Sequence, residues 1–179
     1  MARSSDAVDR ALEVWSRELP ELDLETEGLV ERIHKLSRYL DQSLGETAAN
    51  YGLTIGEWYL LGALRGNGAP YRVTSGRLAK QIGITAGALT GRIDRLETRG
   101  LVQRIADDTD RRVTHIELTS EGHDLWLAAV AVQARREQLV AAALDPRQQQ
   151  QLNTLLRLLM LSFEEIAGPP PPRASVERG

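Results

Sequence analysis

Basic side chains are concentrated in the middle of this 179-residue sequence. The stretch from Arg72 to Arg112 holds nine basic and five acidic residues, a local charge of +4, so the formal charge of −3 for the whole chain leaves −7 elsewhere. The basic residues are Arg72, Arg77, Lys80, Arg92, Arg95, Arg99, Arg104, Arg111 and Arg112. Guanidinium and ammonium groups bind phosphate oxygens, and an acidic remainder limits non-specific binding. The pattern favours contact with a nucleic-acid backbone, with a chance fluctuation of surface charge as the alternative.

Residues suited to covalent or metal chemistry are few. The sequence has no cysteine, which excludes disulfides, thiolate metal sites and cysteine nucleophiles. Its three histidines, His34, His115 and His123, lack the spacing of metal ligands, and we interpret them as ordinary surface or helix residues. Neither a phosphate-binding glycine loop nor a Gly-x-Ser-x-Gly motif is present. We therefore predict no catalytic site, no metal and no cofactor, and a protein that is not an enzyme.

The segment that must position the basic residues has the pattern of a helix-turn-helix. Thr74 can cap a short helix, which Gly83 ends. Thr85 can cap a second helix that runs to Arg99, with Gly100 at its C-terminal cap. Two helices joined by a turn of about three residues that contains glycine form the motif that inserts its second helix into DNA.

The second helix of this motif has an apolar face and a face suited to DNA. Leu89, Ile93 and Leu96 share the apolar face. The opposite face presents Ala86, Gly87, Thr90, Gly91, Asp94 and Arg95. Small residues let the backbone approach the floor of a groove, while threonine and arginine bind bases or phosphates. We predict DNA contacts from Thr85, Ala86, Gly87, Thr90 and Arg95, and from Ser75, Arg77 and Arg72 beside them.

Two short β-like runs, residues 101–105 and 113–118, follow the helix-turn-helix. The seven residues between them are too many for a tight hairpin turn, which predicts a projecting loop, or wing. Arg111 and Arg112 at the end of this loop suit insertion into a narrow minor groove, where the negative potential is concentrated. In the alternative interpretation the hairpin is an ordinary surface element in which Asp110 neutralises one of these arginines.

Helices on both sides of this lobe carry more apolar residues than one chain can easily bury. On the N-terminal side the pattern predicts a first helix up to Pro20, a long helix from about Leu24 to about Ala49, and a helix starting at the Thr54-x-x-Glu57 capping box. On the C-terminal side it predicts one helix from about Thr119 to Ala143 and another from Asp145 onward. Leucines surround more than one face of the last helix. This favours burial against a second copy of the chain, with intramolecular burial as the alternative.

The predicted fold class is mainly α with a small β-wing: a winged helix-turn-helix between N- and C-terminal dimerisation helices. We expect N-terminal helices in residues 1–50, the DNA-binding lobe in 51–118, C-terminal dimerisation helices in 119–167 and a flexible tail in 168–179, where glycine and four prolines disfavour a helix. No apolar run approaches the roughly 18 residues of a membrane span. Acidic residues also lie where a signal peptide would be apolar, so we expect a cytoplasmic protein without a membrane partner.

These residues resemble the MarR family of bacterial winged-helix regulators over about residues 29–163. The matching motifs are Leu53-Thr54-Ile55-Gly56-Glu57-Trp58, Asp94-Arg95-Leu96-Glu97, Arg99-Gly100-Leu101-Val102, Asp110-Arg111-Arg112 and Leu118-Thr119-Ser120-Glu121-Gly122, in this order. The resemblance implies a homodimer that binds a pseudo-palindromic operator in double-stranded DNA, usually as a repressor. It also implies that residues 85–95 enter the major groove and residues 108–112 the minor groove. Of the two wing arginines we favour Arg111 for the groove, with Arg112 paired to Asp110 or to a phosphate.

A narrower resemblance, to the urate-responsive branch of that family, indicates a ligand site. That branch uses a tryptophan on an added N-terminal helix, an aspartate and an arginine on the helix after the Leu-Thr pair, and an arginine on the recognition helix. Trp15 and Arg92 match these positions, Tyr59 stands where the branch has aspartate, and Arg65 lies beside the position of the other arginine. We expect these four residues to bind a small anionic or aromatic effector that releases the DNA. The alternatives are a core role for Trp15, and for Arg92 an internal carboxylate partner or a DNA phosphate.

A second class of function is compatible with the same sequence. A helical protein-interaction scaffold would use the winged helix without DNA, with Asp107, Asp108 and Asp110 as its binding surface. Arginines held in internal ion pairs would favour the scaffold, and arginines free on one outward surface would favour DNA binding.

Overall fold

The computed structural model of the chain describes residues 5–107, 110 and 113–170. It contains α1 (Ala7–Glu18), α2 (Leu24–Asn50), α3 (Ile55–Gly66), β1 (Arg72–Thr74), α4 (Ser75–Ile82), α5 (Ala86–Thr98), β2 (Val102–Ala106), β3 (Thr114–Leu118), α6 (Ser120–Ala141) and α7 (Pro146–Ala167). The mainly helical fold with a small antiparallel sheet confirms the predicted fold class. The chain divides into two compact units, residues 1–44 and 45–179.

The first unit joins α1 to the N-terminal part of α2. Asp6 caps α1 through hydrogen bonds from the backbone N–H groups of Val8 and Asp9. Arg32 of α2 donates from Nε to the carboxylate of Asp6 at 2.9 Å and pairs with Asp9 as well. A Cβ added at Gly28 would lie 3.1 Å from a methyl group of the Leu12 side chain, which shows how closely the two helices approach. The predicted helix before Pro20 is thereby confirmed.

The core of the second unit lies between α3, α4, α5 and the sheet. Its fully buried side chains are Leu60, Leu61, Leu64, Leu78, Ile93, Leu96, Val102 and Ile116. The capping box predicted for α3 is present, since Thr54 and Glu57 each bind the other's backbone N–H. At the other side of α3, Trp58 packs against Trp126 of α6 with ring centroids 4.6 Å apart.

The sheet has three antiparallel strands in the order β1-β3-β2. Strand β2 pairs with β3 so that Val102 lies opposite Leu118 and Ala106 opposite Thr114, which confirms the predicted hairpin. Strand β1 pairs with the other edge of β3 and was not predicted, because three residues are too few to show an alternating pattern. Its Thr74 directly caps α4, so the sheet edge fixes where the helix-turn-helix begins.

The last two helices bury little of their apolar surface within the chain. Helix α6 buries Gly122, Ala129 and Gln133, and the Thr47 hydroxyl donates a buried hydrogen bond of 2.7 Å to the Gln133 side chain. None of the residues of α7, all of which the structure describes, is buried. Eight of its large apolar side chains are between 40% and 82% exposed: Leu152, Leu155, Leu156, Leu158, Met160, Leu161, Phe163 and Ile166. Among the described residues no helix is long and apolar enough to span a membrane.

Candidate nucleic-acid interface

The predicted helix-turn-helix is present as α4, a three-residue turn and α5. Gly83 ends α4 in the left-handed conformation (φ 68°), which glycine adopts at no steric cost. The Thr85 side chain caps α5 by accepting a hydrogen bond from the Ala88 backbone N–H at 3.3 Å. Leu89, Ile93 and Leu96 are buried, as the apolar spacing predicted, so the remaining face of α5 is held outward.

The first turn of α5 presents a surface of small residues. Ala86, Gly87 and Thr90 are exposed. The Thr90 hydroxyl donates to the Ala86 carbonyl at 2.9 Å, which leaves its oxygen lone pairs available as acceptors. A Cβ added at Gly87 would meet no atom of the chain within 4 Å. The absence of a side chain at this position is therefore not required by packing within the chain.

A groove of about 290 Å³ separates this surface from the sheet. Helix α4 contributes Ser75 to it, α5 contributes Thr90, and the strands contribute Arg104 and Thr114. Ser75, which was predicted to contact DNA, is half-buried at the start of α4 and lines the same groove as Thr90. The structure thus brings together the predicted polar residues of both helices of the motif.

In the part of the chain that the structure describes, some basic residues of this lobe have partners within the chain and others do not. Arg77 and Lys80 of α4 are exposed, and among the described residues their side chains make no hydrogen bond or ion pair. Arg72 instead pairs with Glu117 across the β1–β3 ladder. Arg104 of β2 pairs with Asp94 at 2.6 Å and also with Glu97, both on α5. Arg72 and Arg104 thus form internal ion pairs, which were expected if the protein is an interaction scaffold. Arg77 and Lys80 are exposed and unpaired among the described residues, which was expected for DNA binding.

Arg95 is both paired within the chain and exposed to solvent. Its Nε donates to Glu57 of α3 at 2.7 Å, while its side chain remains 56% exposed. Glu57 is only 3% exposed. Burial acts to raise the pKa of Glu57, but hydrogen bonds from Thr54 and Arg95 outweigh it and hold the pKa below its usual value. The sequence pattern indicated Glu57 as a helix cap and gave no sign of its contact with α5, since 38 residues separate the two positions.

The predicted ligand residues of the second unit lie at different parts of α3. Arg92 of α5 packs on the first turn, where its Nη1 approaches the Gly56 carbonyl at 3.5 Å, and it pairs with no carboxylate of the described residues. Arg65 lies in the last turn, where Nη1 is 3.1 Å from His123 Nδ1 and the guanidinium is stacked 4.4 Å above the Tyr71 ring. At about 1.5 Å per residue these turns are roughly 13 Å apart, which separates the two guanidinium groups along α3. Tyr59 lies between them, half-buried, and Trp15 is half-buried on α1 of the first unit.

The wing is anchored at its base by polar contacts. His115 Nε2 lies 2.8 Å from Asp107 Oδ2, and the other oxygen of Asp107 accepts a hydrogen bond from the Asp110 backbone N–H at 3.0 Å. The Val113 N–H donates to the Asp110 carbonyl at 2.9 Å. The predicted minor-groove residues Arg111 and Arg112 lie outside the described residues.

In the part of the chain that is described, no group of three acidic or histidine side chains could hold a metal ion.

Comparison with known proteins identifies similar sequences. The model of the MarR family matches residues 51–113, which include the helix-turn-helix and the wing. The HTH-type transcriptional regulator PecS of Dickeya dadantii (strain 3937) is 30% identical over 156 residues, which cover 87% of this chain and 93% of that protein.

Solved structures show the same fold. The YusO protein from Bacillus subtilis has a TM-score of 0.66 and 21% identity, covering 76% of this chain and 95% of that one. The MepR–DNA complex of S. aureus has a TM-score of 0.59 and 22% identity, covering 74% of this chain and 96% of that one. The exposed first turn of α5 therefore belongs to a fold that has been solved together with DNA.

Proposed function

The chain belongs to the MarR family of transcriptional regulators, and we propose from this that it binds double-stranded DNA as a homodimer and represses transcription from a pseudo-palindromic operator. The observation that carries the proposal is the outward face of α5. Its first two turns combine exposed Ala86 and Gly87 with the Thr90 hydroxyl, on a helix whose opposite face is buried. Such a surface can enter a major groove without steric hindrance and bind base edges there.

Phosphate contacts come from the cations beside this surface. Arg77 and Lys80 are exposed on α4, and Arg95 keeps its two Nη groups for a phosphate while Nε binds Glu57. Arg111 or Arg112 enters the adjacent minor groove, since arginine is favoured where the groove is narrow. Arg72 and Arg104 bind carboxylates instead: Arg104 joins β2 to α5, and Arg72 joins β1 to β3.

The exposed apolar face of α7 supports the homodimer. Eight large apolar side chains at least 40% exposed on one helix form a surface that a monomer in water seldom retains. Burial against a second copy related by a two-fold axis would also place two α5 helices about 34 Å apart, the separation of successive major grooves. Replacing Phe163, which is 66% exposed, with arginine should give a monomer in sedimentation, whereas Thr154→Arg, on the opposite side of the same helix, is the control.

The effector is a small anionic or aromatic compound that releases the DNA. Arg92 supports this part of the proposal, because its half-buried guanidinium makes a single long hydrogen bond in the described part of the chain. An anion can satisfy the remaining donors. Urate and other small aromatic acids should raise the melting temperature of the wild type and not of Arg92→Gln. Equal stabilisation of both proteins would exclude Arg92 as the contact.

Fluorescence anisotropy tests the DNA part of the proposal. The labelled duplex is the region upstream of the protein's own gene, and the competitor is a scrambled duplex of equal composition. We expect Arg77→Gln with Lys80→Gln to weaken binding and to reduce the slope of log K against log salt by about 0.9 for each phosphate that the variant no longer neutralises. Arg135→Gln with Arg147→Gln also removes two positive charges, from exposed positions on α6 and α7, and is the matched control. Equal affinity for both duplexes would end the operator proposal, and no measurable binding to either duplex would favour the scaffold.

A further inference from the structure

We propose that Glu57 is a positioning residue for DNA binding, which holds Arg95 so that its Nη groups face a phosphate beside the recognition helix. This inference rests on the proposed function. Glu57 lies in the first turn of α3 and therefore outside the helix-turn-helix. It is the single buried carboxylate among the described residues, although a buried carboxylate costs free energy unless it is well paired.

The hydrogen bonds of Glu57 fix it in place before DNA arrives. Its Oε2 accepts from the Thr54 backbone N–H at 2.9 Å, and its Oε1 accepts from Arg95 Nε at 2.7 Å. Guanidinium groups are planar, so a fixed acceptor on Nε restricts the plane and the direction of the Nη groups. A long side chain that would otherwise be mobile is thereby ordered in the free protein.

The Nη groups of Arg95 are directed toward the part of α5 that is proposed to enter the groove. Nη1 lies 3.8 Å from the position that a Cβ would take at Gly91, one turn nearer the N-terminus of the helix. The side chain is 56% exposed, and in the described part of the chain its Nη groups make no hydrogen bond. Arg95 thus binds a buried anion through one nitrogen and presents two others to solvent.

The sign of the expected effect separates positioning from simple charge. Removing the negative charge of Glu57 makes the protein less acidic, and charge alone would then strengthen its attraction to DNA. If Glu57 positions Arg95, the loss of its charge weakens binding instead. The two explanations therefore predict changes of opposite direction for Glu57→Gln.

The experiment measures the affinity of four variants for the operator duplex by anisotropy, with urea unfolding of each protein alongside. We expect Glu57→Gln to bind about tenfold more weakly, the loss of roughly one charge-assisted hydrogen bond. Thr54→Ala removes the other half of the capping box and leaves the Arg95 contact, so its affinity should stay within about twofold. Arg95→Ala should lose affinity and reduce the salt slope by about 0.9. The double variant Glu57→Gln with Arg95→Ala should bind no more weakly than Arg95→Ala.

Arg95→Lys keeps Glu57 and the positive charge, and it covers the case in which Glu57→Gln does not fold. An ammonium group cannot bind a buried carboxylate and a phosphate through two sides of one plane, so we expect a loss close to that of Arg95→Ala. Each of four results would overturn the positioning role. Two concern single variants of α3: unchanged or tighter binding by Glu57→Gln, or a loss in Thr54→Ala equal to that in Glu57→Gln. The others are additive losses in the double variant, and wild-type affinity in Arg95→Lys. Failure of the wild type to prefer the operator would instead overturn the proposed function.

Discussion

Gly87 provides the sharpest test of how closely α5 approaches DNA. The position is exposed, in the first turn of the helix, and an added Cβ would meet no atom of the chain within 4 Å. Glycine costs a helix about 0.5 to 1 kcal/mol relative to alanine. Residues with good helix propensity are therefore expected to stabilise the isolated protein, and neither packing nor helix propensity within the chain favours glycine here.

The perturbation is Gly87→Gln. In the free protein we expect a gain of about 0.5 kcal/mol in the free energy of unfolding, which corresponds to about 1 to 2 °C in the melting temperature of a chain of this size. In the complex the glutamine side chain would occupy the space of the groove floor and force α5 away from it. Without one or two of its hydrogen bonds to base edges the complex would be weaker by about 2 to 3 kcal/mol, so the operator affinity should fall roughly 30- to 150-fold.

The assay pairs thermal unfolding with anisotropy on the operator duplex, and the control is Gly66→Gln. Gly66 ends α3, is exposed, and likewise has no atom within 4 Å of its added Cβ, so the two substitutions are matched in bulk and chemistry. The control should change neither the preference for the operator nor its affinity by more than about twofold. Operator affinity of Gly87→Gln equal to that of the control would refute the reasoning, because the first turn of α5 could not then lie against the groove floor.

Three further outcomes follow from the same structure. Gly122→Ala should destabilise the protein by about 3 kcal/mol in urea unfolding, since its Cβ would lie 2.0 Å from the backbone oxygen of Leu101 and one of the two main chains would have to shift. Wild-type stability would contradict this packing. Because the pKa of Glu57 is lowered in the fold, the stability it contributes is fully present above its ordinary value of 4.5 and is lost as the pH falls through the lower folded-state value. Glu57→Gln should remove this component from the profile of unfolding free energy against pH, and an unchanged profile would exclude the lowered pKa. Replacing Arg111 and Arg112 with alanine should weaken operator binding about tenfold or more while circular dichroism and melting stay unchanged; unaltered affinity would remove the wing from the interface.

The sequence predicted the elements of this lobe well because their signals are local. The caps Thr54, Thr74 and Thr85 and the left-handed Gly83 each fix a helix boundary within three or four residues of themselves. The apolar spacing of α5 likewise determined which face is buried. Strand β1 escaped prediction because it is defined by pairing with β3, more than 40 residues away, and three residues carry no periodicity of their own.

The partners of the arginines could not be predicted for the same physical reason. A charge count assigns every cation in residues 72–112 equally to the surface, whereas folding brings Glu117 to Arg72 and Glu57 to Arg95 from 45 and 38 residues away. Arg104 finds Asp94 and Glu97 only because β2 returns along α5. These pairings are properties of the tertiary structure, which no local pattern of charge contains.

The pairings also change how the local charge of +4 should be understood. An arginine that already binds a carboxylate adds little net attraction for a phosphate, but it holds a structural element in a defined place. Arg104 thus ties the wing strand to the recognition helix, and Arg72 ties the sheet edge that begins α4 to its neighbour. These two cations would add little affinity for arbitrary DNA, but their ion pairs restrict the movement of β2 against α5 and of β1 against β3. If the lobe binds an operator as proposed, a restricted angle between α5 and β2 suits one spacing of major- and minor-groove contacts and not others, so the internal pairs would favour selectivity for that operator over affinity for DNA in general.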